Sequence, residues 1–398
     1  MRVSKVALLA ATVLTASVFA QPQLDEFRFS GDMSINPGFD ISNSFSWHDG
    51  NKVGERRSSA FNMQYGWNVN MGLDFNDYFS MDFRLSNPSG HALDQLNFTN
   101  GSVQGVWAVP QLPNAYFTWR TGGLFSLKGG LLRVDGNTVL DLVAGAEASR
   151  AELVSAMSEP RLPNFGALGL WTHYSSWDAT YNASQAGLQF CFDITDGVGI
   201  NLTTALVKPS NYVWNQPHPH NEFRFILNAD LELSHMLTLS PTIATRSFWR
   251  AYNETNDQGE TTPKTPILFS YGVDAGVELN DMVNLNAGIA LGNVRLDQDN
   301  SAFGFLFKVA PEITFGINEV FANYSLGILS VTEEVENDDN GKFTGVFNDL
   351  HLGWHFRMNE NIAFGPAASM AFSSFSVDGD ATNGLNNLRF GLEFRAGF

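Results

Sequence analysis

Two histidines near the C-terminus, His351 and His355, come nearest in this sequence to a metal or acid–base site. They share one parity, but four residues of an extended strand separate them by roughly 13 Å. Because one metal ion cannot bridge that distance, we expect no metal there. His218 and His220 flank a proline in a polar stretch that could hold a metal weakly, although a solvated loop is the favoured interpretation. We predict neither a metal nor a cofactor.

Sequence patterns typical of enzymes are absent. The chain has no Gly-x-Ser-x-Gly, no His-Glu-x-x-His and no phosphate-binding loop. Its single cysteine, Cys191, cannot form an intrachain disulfide. We therefore predict that the chain is not an enzyme, and we turn to its charged residues.

The charged residues alternate with apolar ones. Between Phe61 and Phe75 every odd position is apolar, and every even position is Asn, Gln, Gly or Asp. A period of two over fifteen residues predicts a β-strand with one apolar and one polar face. Segments of this kind recur along the chain, and their charges fall on the polar parity. The basic members are Arg28, Arg84, Arg120, Lys128, Arg224, Arg246, Lys308, Arg357, Arg389 and Arg395. The acidic members are Asp32, Asp74, Asp82, Asp193, Glu222, Asp230, Glu232, Asp274, Glu278, Glu312, Asp349 and Glu393.

Short polar steps divide these segments into hairpins. Seven are expected, at Phe75–Phe79, Thr121–Gly123, Ile194–Val198, Leu233–Leu237, Leu279–Val283, Ile317–Phe321 and Met358–Ile362. With a first strand from about Phe27 and a last from about Asn387 they give sixteen strands. The other connections are long and polar, such as Trp47–Ser58 and Thr332–Gly341. This organisation predicts an all-β, antiparallel up-and-down barrel.

The composition and the first twenty residues indicate whether this barrel is secreted and whether it is an ordinary soluble domain. Only 16% of the residues are charged, against about 25% in soluble domains. Residues 1–20 have Arg2 and Lys5 before an apolar core, which predicts a secretory signal peptide and leaves 21–398 as one domain. No later stretch approaches the roughly 18 apolar residues of a spanning helix. Without residues 1–20 there are 21 basic and 41 acidic residues, a net charge of 21 − 41 = −20, so we expect no nucleic-acid partner.

The apolar face could pack on a second sheet or face lipid. We favour lipid, because an arginine or lysine there costs roughly 2–4 kcal/mol at mid-membrane, which explains the charge parity. Lipid also requires a closed barrel, since an open edge would leave backbone groups unpaired. Sixteen strands enclose a lumen too wide for side chains to fill, and the polar inward residues suit water.

At this point the chain resembles the bacterial outer-membrane porins. The resemblance rests on the signal peptide, the sixteen strands and an alternating last strand that ends in Phe. That strand looks like the family's assembly signal, carried here by Leu388, Phe390, Leu392, Phe394 and Phe398. The resemblance implies short periplasmic turns and long extracellular loops. It also implies outer-membrane lipid, lipopolysaccharide and the barrel-assembly machinery as partners, and a homotrimer.

The long connection after the fifth strand, residues 135–184, strengthens the resemblance. Val139–Met157 within it has the composition of a helix, and in porins this loop folds into the barrel and narrows it. By that likeness the constriction has an acidic side formed by Asp135, Asp141, Glu147 and Glu152. The basic wall residues facing it are Arg28, Arg84, Lys128 and Arg389, each of which could equally well pair with a wall carboxylate such as Asp32, Asp82 or Glu393.

The sequence thus predicts a water-filled channel for passive diffusion of small hydrophilic solutes, in the cell outer membrane. Its acidity favours cations. The alternative is a structural or adhesive surface barrel with a plugged lumen and partner-binding loops.

Overall fold

The computed structural model describes residues 25–48, 51–86, 94–99, 102–104, 111–132, 137–139, 142, 185–207, 222–248, 252–255, 261–264, 267–295, 301–335, 339–377 and 380–398. The predicted signal peptide lies outside them. The strands are β1 (Glu26–His48), β2 (Asn51–Asn76), β3 (Phe79–Ser86), β4 (Asp94–Thr99), β5 (Ser102–Gln104), β6 (Gln111–Arg120), β7 (Phe125–Leu132), β8 (Gln185–Thr195), β9 (Val198–Val207), β10 (Glu222–Ser234), β11 (Leu237–Phe248), β12 (Tyr252–Thr255), β13 (Thr261–Lys264), β14 (Ile267–Asn280), β15 (Val283–Arg295), β16 (Ser301–Phe315), β17 (Asn318–Val335), β18 (Asp339–Arg357), β19 (Ile362–Val377) and β20 (Asp380–Gly397).

Sixteen of these strands form a closed antiparallel barrel, which confirms the predicted fold class. Each barrel strand pairs with its neighbours in chain order, and β1 pairs with β20 to close the sheet, with Met33 opposite Ala396. The other four strands form two small hairpins within connections, β4 with β5 and β12 with β13. Closure leaves the sheet without an open edge, as lipid requires.

The hairpin turns follow from local side-chain chemistry. The Asn76 Oδ1 atom accepts hydrogen bonds of 2.9 Å from the backbone N–H groups of Tyr78 and Phe79. Asn280 and Asn359 accept equivalent bonds from Met282 and Asn361. Such Asx turns reverse the chain within two residues. Six of the seven predicted turns lie where the sequence places them.

The seventh turn is displaced. The sequence pattern places it within Ile317–Phe321, but β16 ends at Phe315 and β17 begins at Asn318, so Gly316 and Ile317 form the turn. Gly316 has φ +59°, a left-handed conformation that glycine adopts without strain. As a result Phe321 pairs with the inward Glu312 and faces the lumen, and its neighbour Val320 takes the outward face instead.

Two connections are shorter than the predicted 47–58 and 332–341. The ladder between β1 and β2 continues to His48 and Asn51, and the ladder between β17 and β18 continues to Val335 and Asp339. The polar sequences of these stretches thus extend the strand pairs, and the ladder between β1 and β2 does so across a register shift between Ser46 and Trp47.

On the barrel wall the apolar residues are exposed on the outer face and polar residues are buried on the inner face, which is the opposite of a soluble protein. On the outer face Phe390 is 51% exposed, whereas its inward neighbour Arg389 is 4% exposed. Outward rings also stack across strands, as in Phe79 with Phe117 and Phe364 with Phe394. A continuous exposed apolar surface of this kind requires an apolar environment. Among the described residues no helix is both long and apolar enough to cross a membrane.

Candidate functional site

The inner face of the barrel is a registered polar surface. Cross-strand pairing places Asp274 opposite Gly288, Gly288 opposite Lys308, Lys308 opposite Ser325, and Ser325 opposite Asp349. Directly paired residues point to the same side of a sheet. Inward residues of five neighbouring strands therefore form one cross-strand row on the lumen side, and three of them, Asp274, Lys308 and Asp349, carry charges.

A short segment after β7 packs against this inner face. The Asn137 side chain donates a 2.7 Å hydrogen bond to the Thr242 hydroxyl of β11. The backbone N–H of Thr138 donates to the Asp274 carboxylate at 3.1 Å, and the Thr138 hydroxyl donates to the other oxygen of that carboxylate. Val139 is fully buried. The segment thus contacts strands that lie four and five places around the barrel from β7.

The wall beneath this segment is apolar. Val139 and Leu142 form a buried cluster with four lumen-facing residues, Ile226, Ala244, Ala290 and Leu306. Glycines bring the segment close to the wall: a Cβ atom at Gly272 would lie 2.7 Å from Val139 Cγ2, and one at Gly304 would lie 2.9 Å from Leu142 Cδ1. Sequence reasoning missed this docking patch, which consists of the four lumen-facing apolar residues and the glycines beside them. The pattern that could have indicated it is the occurrence of apolar residues and glycines on the polar face of strands between β10 and β16.

The structure does not describe the predicted acidic side of the constriction. Asp135, Asp141, Glu147 and Glu152 lie outside the described residues, as does the predicted helix apart from Val139 and Leu142.

Three of the predicted basic residues lie on the wall near the end of the barrel that carries the short hairpin turns. Arg28, the third residue of β1, forms ion pairs with Asp74 at 2.7 Å and Asp82 at 3.1 Å. The Arg84 Nε–H donates to Asn70 Oδ1 at 2.7 Å, and the Lys128 ammonium lies 5.8 Å from the centre of the Tyr116 ring. The three side chains lie on β1, β3 and β7, which are every second strand in this part of the wall, and Arg28 is paired with carboxylates of the wall.

The fourth basic residue, Arg389, is buried where β20 meets β1 and β2. Its Nη1 donates to Asp40 Oδ1 at 2.9 Å and to Asn62 Oδ1, and its Nη2 donates to the Asn36 carbonyl at 2.6 Å. Arg389 is therefore an ion-pairing residue of the seam that closes the barrel.

A second buried polar cluster lies on β17, β18 and β20. His351 Nε2 and His355 Nε2 lie 3.3 and 3.5 Å from the same Glu393 oxygen, Oε2. Arg395 Nε donates to the other Glu393 oxygen at 2.9 Å, and the Arg395 guanidinium lies over the Phe321 ring at 4.7 Å. Both histidines thus converge on one carboxylate, although four residues separate them along the strand. Sequence spacing missed this because Glu393 comes from a different strand.

Glu319 completes the cluster, with its Oε1 atom 3.5 Å from His355 Nδ1. His355 is fully buried and Glu393 is 2% exposed. Over the described part of the chain, no group of three or more His, Cys, Asp and Glu side chains is arranged to hold a metal ion.

The last strand, predicted as an assembly signal, is an integral strand of the barrel. Phe390, Leu392, Phe394 and Phe398 are exposed on its outer face, and Leu388 shares their parity. The Phe398 ring lies 5.6 Å from the Phe29 ring of β1.

Comparison with known proteins bears on the fold. No protein-family model and no curated protein matches this sequence. The structure is similar to OprB of Pseudomonas putida, with 11% identity and a TM-score of 0.51 over 96% of each chain. It is also similar to the outer membrane channel DcaP of Acinetobacter baumannii, with 8% identity and a TM-score of 0.50 over 94% of this chain and 97% of that chain. An anion-selective porin from Comamonas acidovorans matches with 10% identity and a TM-score of 0.49, over 94% of this chain and 99% of that one.

These likenesses concern the fold, which extends over nearly the whole chain. The two likenesses with TM-scores of 0.51 and 0.50, together with the closed wall of sixteen strands and the exposed apolar outer face, show that the chain has the β-barrel fold of the outer-membrane porins.

Proposed function

We propose that this barrel is a water-filled channel through which small hydrophilic solutes and ions diffuse passively, and not an enzyme. The observation that carries the proposal is the inward position of Asn137–Val139 and Leu142. Hydrogen bonds to Thr242 and Asp274, together with the apolar patch, hold the segment against the lumen wall. A segment fixed in this way narrows the lumen. Polar groups and charges around a narrowed pore favour hydrated solutes over apolar ones.

The proposal extends to the remainder of the loop. Asp135, Asp141, Glu147 and Glu152 supply the acidic side of the constriction, and Arg28, Arg84 and Lys128 supply positive charge on the wall. Because the chain without residues 1–20 has a net charge of −20, the pore prefers cations.

The proposal also concerns export and assembly. Residues 1–20 direct secretion and are then removed. The last strand is recognised by the barrel-assembly machinery, and the outer face contacts lipid, lipopolysaccharide and two further copies of the chain in a trimer. Chemical crosslinking in native membranes tests the trimer, since a ladder that stops at three copies is expected.

The direct test is reconstitution of the purified full-length protein in planar bilayers. Stepwise conductance, with a reversal potential in a salt gradient that favours cations, is the expected result. A solute-uptake panel in liposomes then defines the size limit. A reversal potential that favours anions would contradict the cation preference alone.

One observation favours a second candidate, a surface barrel with a plugged lumen. Inward residues of β18 and β20 such as His355, Asp349 and Arg389 are at most 5% exposed, so this side of the lumen is filled. Silence in bilayers at high protein load would support the plug and overturn the channel.

A further inference from the structure

A pocket of about 220 Å³ opens in the lumen wall at β1, β2, β3 and β6. Two registered rows of inward residues line it. The first row is Arg28, Gly72, Asp82 and Tyr116, and the second is Ser30, Asn70, Arg84 and Asn114. This volume is smaller than the roughly 300–1,000 Å³ of pockets for drug-sized ligands. Only a small solute fits.

Gly72 has no side chain, and this leaves room in the first row for the guanidinium group of Arg28. A Cβ atom there would lie 2.8 Å from Arg28 Cζ, so glycine allows the Arg28 guanidinium to lie across β2. From that position Arg28 reaches Asp74 on one side and Asp82 on the other. The Asp82 carboxylate is thereby fixed at the edge of the pocket through its Oδ1 atom.

The second row places a positive charge beside that carboxylate. Arg84 is held by Asn70 and Asp82 is held by Arg28, so each charge has its own support. The two residues are two positions apart on β3, which sets their Cα atoms about 7 Å apart. One small molecule can span that spacing with a hydrogen bond at each end.

An acceptor without a donor points to the third contact. The Asn114 Oδ1 atom is buried and has no hydrogen-bond partner among the described residues. Buried acceptors in native structures are normally satisfied, and a ligand N–H group would satisfy this one. The pocket therefore offers a cation for an anionic group and two oxygen acceptors for an N–H donor.

We propose that this wall pocket binds a small zwitterion with adjacent carboxylate and ammonium groups, the chemistry of a free α-amino acid. The carboxylate contacts the Arg84 guanidinium, while the ammonium group donates to Asp82 and to Asn114 Oδ1. Binding here rests on the proposed channel, because the ligand reaches the pocket from the lumen.

The test is equilibrium binding to the full-length protein in detergent micelles, measured by saturation-transfer NMR. The probes are L-alanine, lactate, which lacks the ammonium group, and propylamine, which lacks the carboxylate. We expect saturable binding of L-alanine and at least tenfold weaker binding of both analogues. Asp82→Asn and Arg84→Gln should each weaken L-alanine binding at least tenfold.

The matched control is Asp230→Asn, which removes a lumen-facing carboxylate of β10 that contacts Asn201 and Ser240. L-alanine should bind this variant as it binds the unmodified protein. If Asp82→Asn fails to fold, Asn114→Leu replaces it, because this change leaves both ion pairs of Arg28 intact.

Absence of saturable L-alanine binding would overturn the proposal. The proposal would also be overturned if lactate bound as tightly as L-alanine and still bound to Asp82→Asn, because the pocket would then be a simple anion site. A protein that conducts but does not bind L-alanine overturns only this inference. A protein that binds L-alanine but is silent in bilayers overturns only the channel.

Discussion

Thr138 donates two hydrogen bonds to one carboxylate, that of Asp274, from its backbone N–H group and from its hydroxyl. Both partners lie inside the barrel, and 136 residues separate them along the chain. Hydrogen bonds to a charged acceptor contribute about 1.5–3 kcal/mol each. This pair is therefore the strongest polar anchor of the inward segment in the described part of the chain.

Replacing the anchor should widen the pore. In Asp274→Asn the acceptor loses its charge, both bonds weaken, and the segment leaves the wall more often. We expect a larger or noisier single-channel conductance and faster uptake of larger solutes into liposomes. Asp230→Asn, which removes a lumen carboxylate that contacts Asn201 and Ser240, should leave the uptake of larger solutes unchanged. Equal conductances for Asp274→Asn and the unmodified protein would contradict the anchoring role.

A methyl group at the docking surface should act in the same direction. A Cβ atom at Gly288 would collide with the Thr138 hydroxyl and the Asp274 carboxylate, whereas one at Gly199 would have its nearest neighbours at 3.7 and 4.0 Å. Gly288→Ala should therefore alter conductance as Asp274→Asn does, and Gly199→Ala should not. The experiment compares single-channel recordings of the two alanine variants, and identical traces would argue against close docking.

The seam where the barrel closes should depend on Arg389. Removing a buried ion-pair partner costs about 3–5 kcal/mol, because the remaining charge loses its compensation. Arg389→Met should lower the free energy of unfolding by this amount, measured by urea titration in lipid vesicles. Arg28→Gln is the control. The Arg28 side chain is 46% exposed, so its loss should cost no more than about 1 kcal/mol. Similar costs for both variants would show that the seam pair has no special role.

A charge on the outer face should be far more damaging than one on the inner face of the same strand. Ile289 is 41% exposed on the outside, and Asn286 faces the lumen opposite Gly276. Ile289→Arg should destabilise the folded barrel in vesicles by about 2–4 kcal/mol, and Asn286→Arg should leave its stability nearly unchanged. Equal tolerance of the two arginines would be inconsistent with lipid on the outside.

The barrel could be predicted from sequence because its determinants are local. Alternation along a single strand sets the two faces, and residues such as Asn76 and Asn280 specify the turns within their own segments. The turn at Gly316 was misplaced because the apolar spacing of Ile317 and Phe321 imitates the other hairpins, while the left-handed glycine that fixes the reversal lies just before it.

The site was harder to predict because its contacts join distant parts of the chain. The convergence of His351 and His355 on Glu393 depends on strand order and on side chains of β18 and β20 meeting across β19. Likewise, Ile226 and Leu306 are apolar residues on the polar face of their strands. Only the structure explains them, because it shows that Val139 and Leu142 cover them. Spacing along one strand carries no information about such contacts.

The most direct test of the channel compares two single-cysteine variants of β9. Each variant also carries Cys191→Ser, so that the introduced cysteine is the only one in the protein. Asn201 faces the lumen, where its side chain donates to Asp230, and the adjacent Leu202 is 40% exposed on the outer face. During single-channel recording, a negatively charged thiol reagent should change the conductance and cation preference of Asn201→Cys and leave Leu202→Cys unaffected. A barrel that carries no current would contradict a conducting lumen. So would an unchanged current through Asn201→Cys when mass spectrometry shows that the cysteine is completely labelled.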